Sequence, residues 1–390
     1  MRSILHLFDC EALNFHRQKD KKDCLPLLQD IKRPLFFVLF FIPLCLTGSA
    51  QDSHPPAAGL FDSDQVLNIR LSGNLRELLK DKSDEMQYHD MALSYVASDS
   101  SLVSIPLKIK TRGHFRRTQG NCTYPPLLLS FSKGHTPKNS LFHNQDKMKL
   151  VTPCTGDKYV VREYLVYKLY NLINPKSFRA RLVKVVYDDT VKAKKSQPLY
   201  GILLEDEDQM ARRNNTVIVK GRLVKPERTR QEEFLKMAVF EYMIGNTDWS
   251  VQYYQNIKLI AADSMSIPTT VPYDFDHAGI VEAPYANPAE QLLLNSTRDR
   301  RYRGYCVSSM PAFNDIFALF NRLKEDIYAV YTKCPWLEDS YKMNTVRFLD
   351  EFYKTINNPI SAKSEFTYPC DKDGTGNVVI KGLNKSKKPN

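Results

Sequence analysis

Short runs with strand character recur through the first half of this chain, at residues 66–71, 91–96, 102–110, 127–131, 146–151, 178–187 and 199–205. Alternation is clearest in 102–110, where Val103, Ile105, Leu107 and Ile109 fall on one face with several polar residues between them. A period of two sends successive side chains to opposite faces of a pleated ribbon, so these runs commit the first half to a sheet. Spacings of three and four then predict helices over 159–173, 232–244, 311–331 and 341–355. Between the second and third of these come two short strands, 257–260 and 270–273, and a last one is expected at 378–380. No repeat or compositional break divides residues 61–375, which argues for two lobes of one unit rather than independent domains.

The chain has 390 residues, 43% hydrophobic and 25% charged, which excludes a disordered or fibrous protein. Its net charge of +11 favours phosphates, anionic surfaces or acidic proteins as partners and says nothing about fold. Lys32-Arg33, the apolar run from Pro34 to Leu46 and the end Gly48-Ser49-Ala50 have the form of a secretory signal cleaved after Ala50, preceded by an extended leader. The run is too short to cross a bilayer comfortably, so no membrane span is expected after cleavage, and an uncleaved anchor is the competing account. Cleavage would leave Cys122, Cys154, Cys306, Cys334 and Cys370, an odd number without close pairs. That spacing argues against zinc or dithiol chemistry and allows one or two disulfides with at least one thiol left over. The expected organisation is signal and leader at 1–50, a flexible linker at 51–60, a mostly β lobe at 61–205 holding the helix at 159–173, a second lobe at 206–375, and a basic tail at 376–390.

Candidate chemistry concentrates where the 232–244 helix ends. Gly245-Asn246-Thr247-Asp248-Trp249 leads to Asn256, and the strand after it closes on Tyr273-Asp274-Phe275-Asp276. An acid, an amide and two further acids at element ends can converge on a divalent cation, and Mg²⁺ takes such oxygens while retaining waters. In phosphoryl transfer one Asp orients the attacking hydroxyl while an Asn and another Asp hold metal against the nucleotide. The plain alternative is that Asn246 and Asp248 cap a turn and that Asp274 and Asp276 end a strand at the surface.

Upstream, Arg112-Gly113 followed by Arg116 and Arg117 could turn beneath a phosphate or simply form a basic hairpin. Lys149 lies on a strand, and Glu163 lies in a helix that is apolar nearly all round, where a carboxylate wants a partner. A Lys149–Glu163 pair would fix a nucleotide-positioning lysine, with Lys147 and Lys158 as competitors. The strand ending at Leu204-Glu205 could serve as a hinge whose backbone meets a base edge, or could be an ordinary hairpin strand feeding a surface helix. Arg298–Arg303 reads either as solvated surface or as part of an acidic-substrate or phosphate path.

Together, Arg112-Gly113, Lys149 with Glu163, Tyr200-Gly201…Leu204-Glu205, Gly245-Asn246-Thr247-Asp248-Trp249…Asn256 and Asp274-Phe275-Asp276 resemble the CotH family of spore-coat protein kinases and, more distantly, the secretory-pathway protein kinases. The resemblance covers roughly residues 100–330. It implies an α+β, two-lobed atypical protein-kinase-like fold with a mostly β N-terminal lobe and a mostly helical C-terminal lobe. It also implies ATP or another nucleotide with Mg²⁺ or Mn²⁺, and a protein substrate or envelope protein as partner rather than nucleic acid. Asp248, Lys149 and Glu163 would be catalytic. Arg112, Gly113, Lys149, Leu204 and Glu205 would bind the nucleotide, and Asn256, Asp274 and Asp276 the metal. Two departures stand out: Tyr124-Pro125-Pro126 replaces the lysines usual after the Arg-Gly turn, and eight residues rather than the five of ordinary kinases separate Asp248 from Asn256. The implied activity is phosphoryl transfer to a protein hydroxyl by an exported enzyme, acting in the periplasm, cell envelope or outside the cell. Its alternatives are an inactive binding or scaffold relative and a nucleotidyl transferase.

Overall fold

The structure is a computed structural model that describes residues 59–81, 85–113, 116, 122–132, 134, 136–220 and 223–372. The expected leader and signal, most of the linker, Arg117, the 378–380 strand and the basic tail lie outside the described residues.

The strand-forming runs give β1 (Leu67–Gly73), β2 (His89–Val96), β3 (Leu102–Thr111), β4 (Leu127–Phe131), β5 (Lys147–Val151), β6 (Ala180–Asp189), β7 (Lys194–Lys195) and β8 (Leu199–Leu204). A short helix, α1 (Leu75–Lys80), follows β1, and α2 (Asp157–Ile173) joins β5 to β6. The ladder runs β1-β2-β3-β4-β5-β8-β6, and β6 then pairs in parallel with β1 from Leu67↔Val183 to Gly73↔Asp189. The sheet therefore closes on itself as a seven-stranded barrel, all antiparallel except at that seam, with β7 attached to β6 alone. Closure leaves those seven strands with no free edge. The inward faces fill the barrel: Leu71, Leu93, Ile105, Ile109, Leu129, Leu150, Val183, Val185 and Leu203 are fully buried in one cluster.

The remainder comprises α3 (Glu207–Arg213), β9 (Val217–Ile218), α4 (Gln231–Ile244), β10 (Ile257–Ala261), β11 (Thr269–Pro272) and the helices α5 (Asn314–Arg322), α6 (Lys324–Thr332), α7 (Asp339–Ile356) and α8 (Pro359–Phe366). Strands β9, β10 and β11 form a separate three-stranded sheet. The helix expected over 311–331 is divided, because Leu323 leaves helical geometry between α5 and α6 (ψ 3°).

The two-lobed kinase-like fold expected from the motifs is not what the chain forms. A closed mixed barrel takes the place of an open β lobe, and the helices share their apolar core with its outer wall. Val151, Ile202 and Leu204 of that wall belong to the same buried cluster as Tyr167 of α2, Phe240 of α4 and Tyr331 of α6. Alternation fixes which face of each strand is apolar, but it does not say whether strands more than a hundred residues apart will pair. That pairing depends on β6 passing β8 to reach β1.

Candidate functional site

Helix α4 ends because Gly245 adopts the left-handed conformation (φ 68°). A Cβ there would lie 2.9 Å from the Thr297 carbonyl oxygen, so the position excludes a side chain as well as right-handed geometry. The chain then turns: the Asn246 side-chain oxygen accepts from the Asp248 N–H (3.0 Å) and the Asn246 carbonyl from Trp249 Nε1 (3.2 Å). Ser250 and Gln255 bridge the base of the loop, and the left-handed Asn256 (φ 52°) delivers the chain into β10. The Asn256 amide donates to both the Asp248 carbonyl (2.7 Å) and its Oδ2 (3.0 Å), while Gln255 Nε2 donates to Oδ1. The wider spacing between Asp248 and Asn256 is thus taken up by a bridged loop that brings the two together.

Pairing of β10 with β11 carries Asp274 and Asp276 alongside. Tyr273 N–H donates to the Asn256 carbonyl at 3.0 Å, and left-handed Asp274 (φ 64°) donates its N–H to the Tyr167 hydroxyl of α2 at 2.9 Å. Lys149 points out of the barrel wall, since Met148 and Leu150 fill the interior. Its Nζ reaches Asp274 Oδ1 at 2.8 Å.

The buried Glu163 is not the partner of Lys149. Arg116, arriving from the segment after β3, lies with Nη2 3.6 Å from Glu163 Oε2 and donates through Nη2 and Nε to Asp276 Oδ2 at 2.5 and 3.1 Å. Tyr285 also donates to that oxygen (3.2 Å). A guanidinium can serve two carboxyls at once where an ammonium offers a single point of charge. The disulfide Cys122–Cys154 ties the Arg116 segment to the chain leaving β5, and the Thr152 carbonyl accepts from Arg116 at 3.4 Å.

These surroundings separate the four acids. Burial pushes the Glu163 carboxyl up to about 8, with Arg116 opposing the rise and Asp276 and Asp274 adding to it. Burial also raises Asp248, His277 opposes, and Asp276 and Asp274 add to the rise. At Asp274 the same desolvation is outweighed by Lys149 and then Arg116, which hold the carboxyl well below the usual range. Asp276 neutralises the buried Arg116. One ionised carboxylate held by an ammonium thus stands beside an aspartate of raised basicity.

The remaining expected site residues divide. Arg112 is near enough to lower Asp274, and Gly113 takes the positive φ (77°) anticipated for a turn. Leu204 sits opposite Lys149 in the β5–β8 ladder and is buried. Glu205 is otherwise committed: its N–H donates to the Arg179 carbonyl, and its carboxylate accepts from the Arg179 N–H and twice from Arg213. Its N–H is therefore not open to a base edge. In the sequence Arg116 reads only as positive charge near Gly113, His277 only as the end of the Asp274–Asp276 run and Tyr167 only as an apolar helix position, while Tyr285 and Gln255 carry no signal. Arg300 and Arg303 are not solvated surface. Arg300 donates to the Met243 and Phe348 carbonyls, and Arg303 to those of Thr247 and Trp249, which pins both sides of Asp248.

Fold and site define a barrel-and-helix protein with a buried Arg/Asp/Glu network adjoining a Lys–Asp pair whose lysine is buried and whose aspartate is partly exposed. No protein-family model matches the chain, and no curated protein matches it. The resemblance to the CotH family therefore has no support from these comparisons. A solved structure that does match is the crystal structure of the Helicobacter pylori proinflammatory kinase CtkA, at 11% identity and a TM-score of 0.39, covering 66% of this chain and 94% of that one. A likeness at that level carries no argument about this chain's chemistry.

Proposed function

We propose that this chain is an exported phosphotransferase that moves a phosphoryl group from a nucleotide, ATP or another activated donor, to a hydroxyl of a protein. The observation that carries the reading is the juxtaposition of the Lys149–Asp274 pair at 2.8 Å with Asp248, whose carboxyl is raised by burial and held by Asn256. Phosphoryl transfer asks little covalent chemistry of the protein and much positioning and charge stabilisation. Asp248 orients the attacking hydroxyl and accepts its proton, a task that a raised basicity assists. Lys149 and Arg112 bring positive charge to the phosphates. Glu163, neutral around pH 7 and in reach of Arg116, acts as part of the buried frame rather than as the partner of the lysine.

The donor atoms suit Mg²⁺ or Mn²⁺, being hard oxygens only, with Asp274 and Asn256 at left-handed positions beside each other's strands. Among the described residues no group of three or more His, Cys, Asp or Glu side chains is placed to hold a metal by itself. Asp274 and Asn256, with Asp276 adjacent, are the residues that would hold it, and when bound it would neutralise phosphate charge. Export is supported by the leader composition and by the disulfides Cys122–Cys154 and Cys306–Cys370, which leave Cys334 as a buried thiol.

The test is label transfer by the purified chain with divalent metal, compared with Asp248→Ala and Asp274→Ala. Transfer from a γ-labelled but not an α-labelled donor, lost in both variants, is the expected result. Transfer from the α-labelled donor would make the chain a nucleotidyl transferase. Nucleotide binding without transfer from any donor would leave a binding protein.

A further inference from the structure

Helix α4 buries a carboxyl to which the phosphotransferase reading gives no task. Glu241 is fully buried, and neither of its side-chain oxygens meets a donor in hydrogen-bonding geometry among the described residues. Its neighbours along the helix, Val239, Phe240, Tyr242 and Met243, belong to the buried core. A carboxyl in such a place costs stability, and an apolar side chain of the same size would serve packing better.

Glu241 lies against the turn that presents Asp248. Its backbone carbonyl accepts from the Asn246 N–H at 2.8 Å, across the Gly245 cap. Asn246 is 1% exposed; its Oδ1 accepts from the Asp248 N–H at 3.0 Å, which leaves Nδ2 as a buried donor with no acceptor in bonding geometry. The Glu241 carboxyl is the complementary group and is close by: burial pushes it up to about 8, Asn246 opposes that rise as a hydrogen-bond donor, and Asp248 adds to it. A small side-chain rotation therefore joins a leftover donor to a leftover acceptor. Arg303 grips the same turn, donating to the Thr247 and Trp249 carbonyls, with its guanidinium 5.4 Å from the centre of the Trp249 ring. Burial lowers Arg303 while Asp248 and then Glu241 oppose, so this cation interacts with both carboxyls.

We propose that Glu241 is a positioning residue, which through the Asn246 amide fixes the turn so that the Asp248 carboxylate faces the attacking hydroxyl. The consequence for catalysis rests on the phosphotransferase reading, whereas the hold on the turn does not. Protonated for the most part at pH 7, Glu241 takes the amide on its carbonyl oxygen without placing a second negative charge beside Asp248.

Glu241→Met and Glu241→Gln test this in the full chain with its disulfides intact. Methionine keeps nearly the same volume and removes the acceptor, whereas glutamine keeps both. In hydrogen exchange, Glu241→Met reduces protection of the Asp248 amide by at least about tenfold, the loss of roughly one hydrogen bond, and leaves the Val239 and Phe240 amides as in the parent. The urea midpoint moves down by less than about 0.5 M, because removing a buried carboxyl offsets the stranded Asn246 amide. Label transfer from a γ-labelled donor falls about 10–100-fold in kcat with the donor KM within about twofold, and Glu241→Gln recovers both rate and protection. Unchanged Asp248 protection or unchanged kcat in Glu241→Met, protection lost evenly along α4, a larger fall in the midpoint, or a Glu241→Gln no better than Glu241→Met would overturn the proposal. If the parent chain transfers no label, the phosphotransferase reading fails on its own, and exchange at Asp248 still decides whether Glu241 holds the turn.

Discussion

Replacing Arg116 with methionine tests whether the buried ionic network holds the barrel to the helices. Arg116 and Asp276 are 9% and 11% exposed at the side chain, so their pair is hardly screened by solvent. Removing one partner of a buried pair costs about 3–5 kcal/mol, most of it the penalty for stranding the other charge. Here the stranded charge is that of Asp276, because burial keeps Glu163 protonated at neutral pH. Tyr285 still donates to Asp276, which puts the expected loss for Arg116→Met near the lower bound, about 3 kcal/mol. The assay is equilibrium urea unfolding at pH 7 with the disulfides intact, in which such a loss moves the midpoint by about 1 M for a slope of about 3 kcal/mol/M. Adding Asp276→Asn to Arg116→Met should recover much of the loss, giving a coupling of about 2 kcal/mol between residues 160 apart in sequence. A loss below about 1 kcal/mol, or strict additivity, would refute the reasoning.

Glu163 and Glu241 both have carboxyls pushed by burial to about 8. Their folded pKa exceeds the unfolded one, so their contribution is complete below the ordinary carboxylate range and is lost as pH rises through about 8; Glu163→Gln should flatten that decline in a pH series of melting temperatures. Asp248→Asn should reduce label transfer by about 10²–10⁴ without moving the urea midpoint as far as Arg116→Met does. Gly245→Ala must place a Cβ 2.9 Å from a backbone carbonyl at φ 68°, and should cost at least about 1–3 kcal/mol by the same unfolding assay. Replacing Cys122 and Cys154 by serine releases a crosslink of sequence separation 32, worth about 3–4 kcal/mol in the chain-entropy account, and should impair label transfer through Arg116 as well as stability.

Much of the local structure is legible in the sequence. Alternation at 102–110 gave β3 to within a residue, and the apolar surround of Glu163 marked a carboxyl that cannot sit comfortably in its helix. Glycine at 245 marked the end of α4, because few other residues accept a left-handed cap. The pairings were another matter. Glu163 went to Arg116 rather than Lys149, since a residue whose flanking sequence reads only as a basic turn is carried across by a disulfide and a long forked side chain. Arg300 and Arg303 looked like solvent-facing charge, yet they bond backbone carbonyls on either side of the Asp248 loop.

By itself the sequence determined most of the barrel strands, the helices at 159–173, 232–244 and 341–355, and which short stretches carried carboxylates and amides dense enough for chemistry, because periodicity and backbone preference act over a few neighbours. Only the tertiary structure decided that the strands close into a barrel through the β1–β6 seam and which cation serves which carboxylate. Those outcomes depend on groups far apart in the chain competing for the same partner in space, and short-range pattern holds no record of that competition.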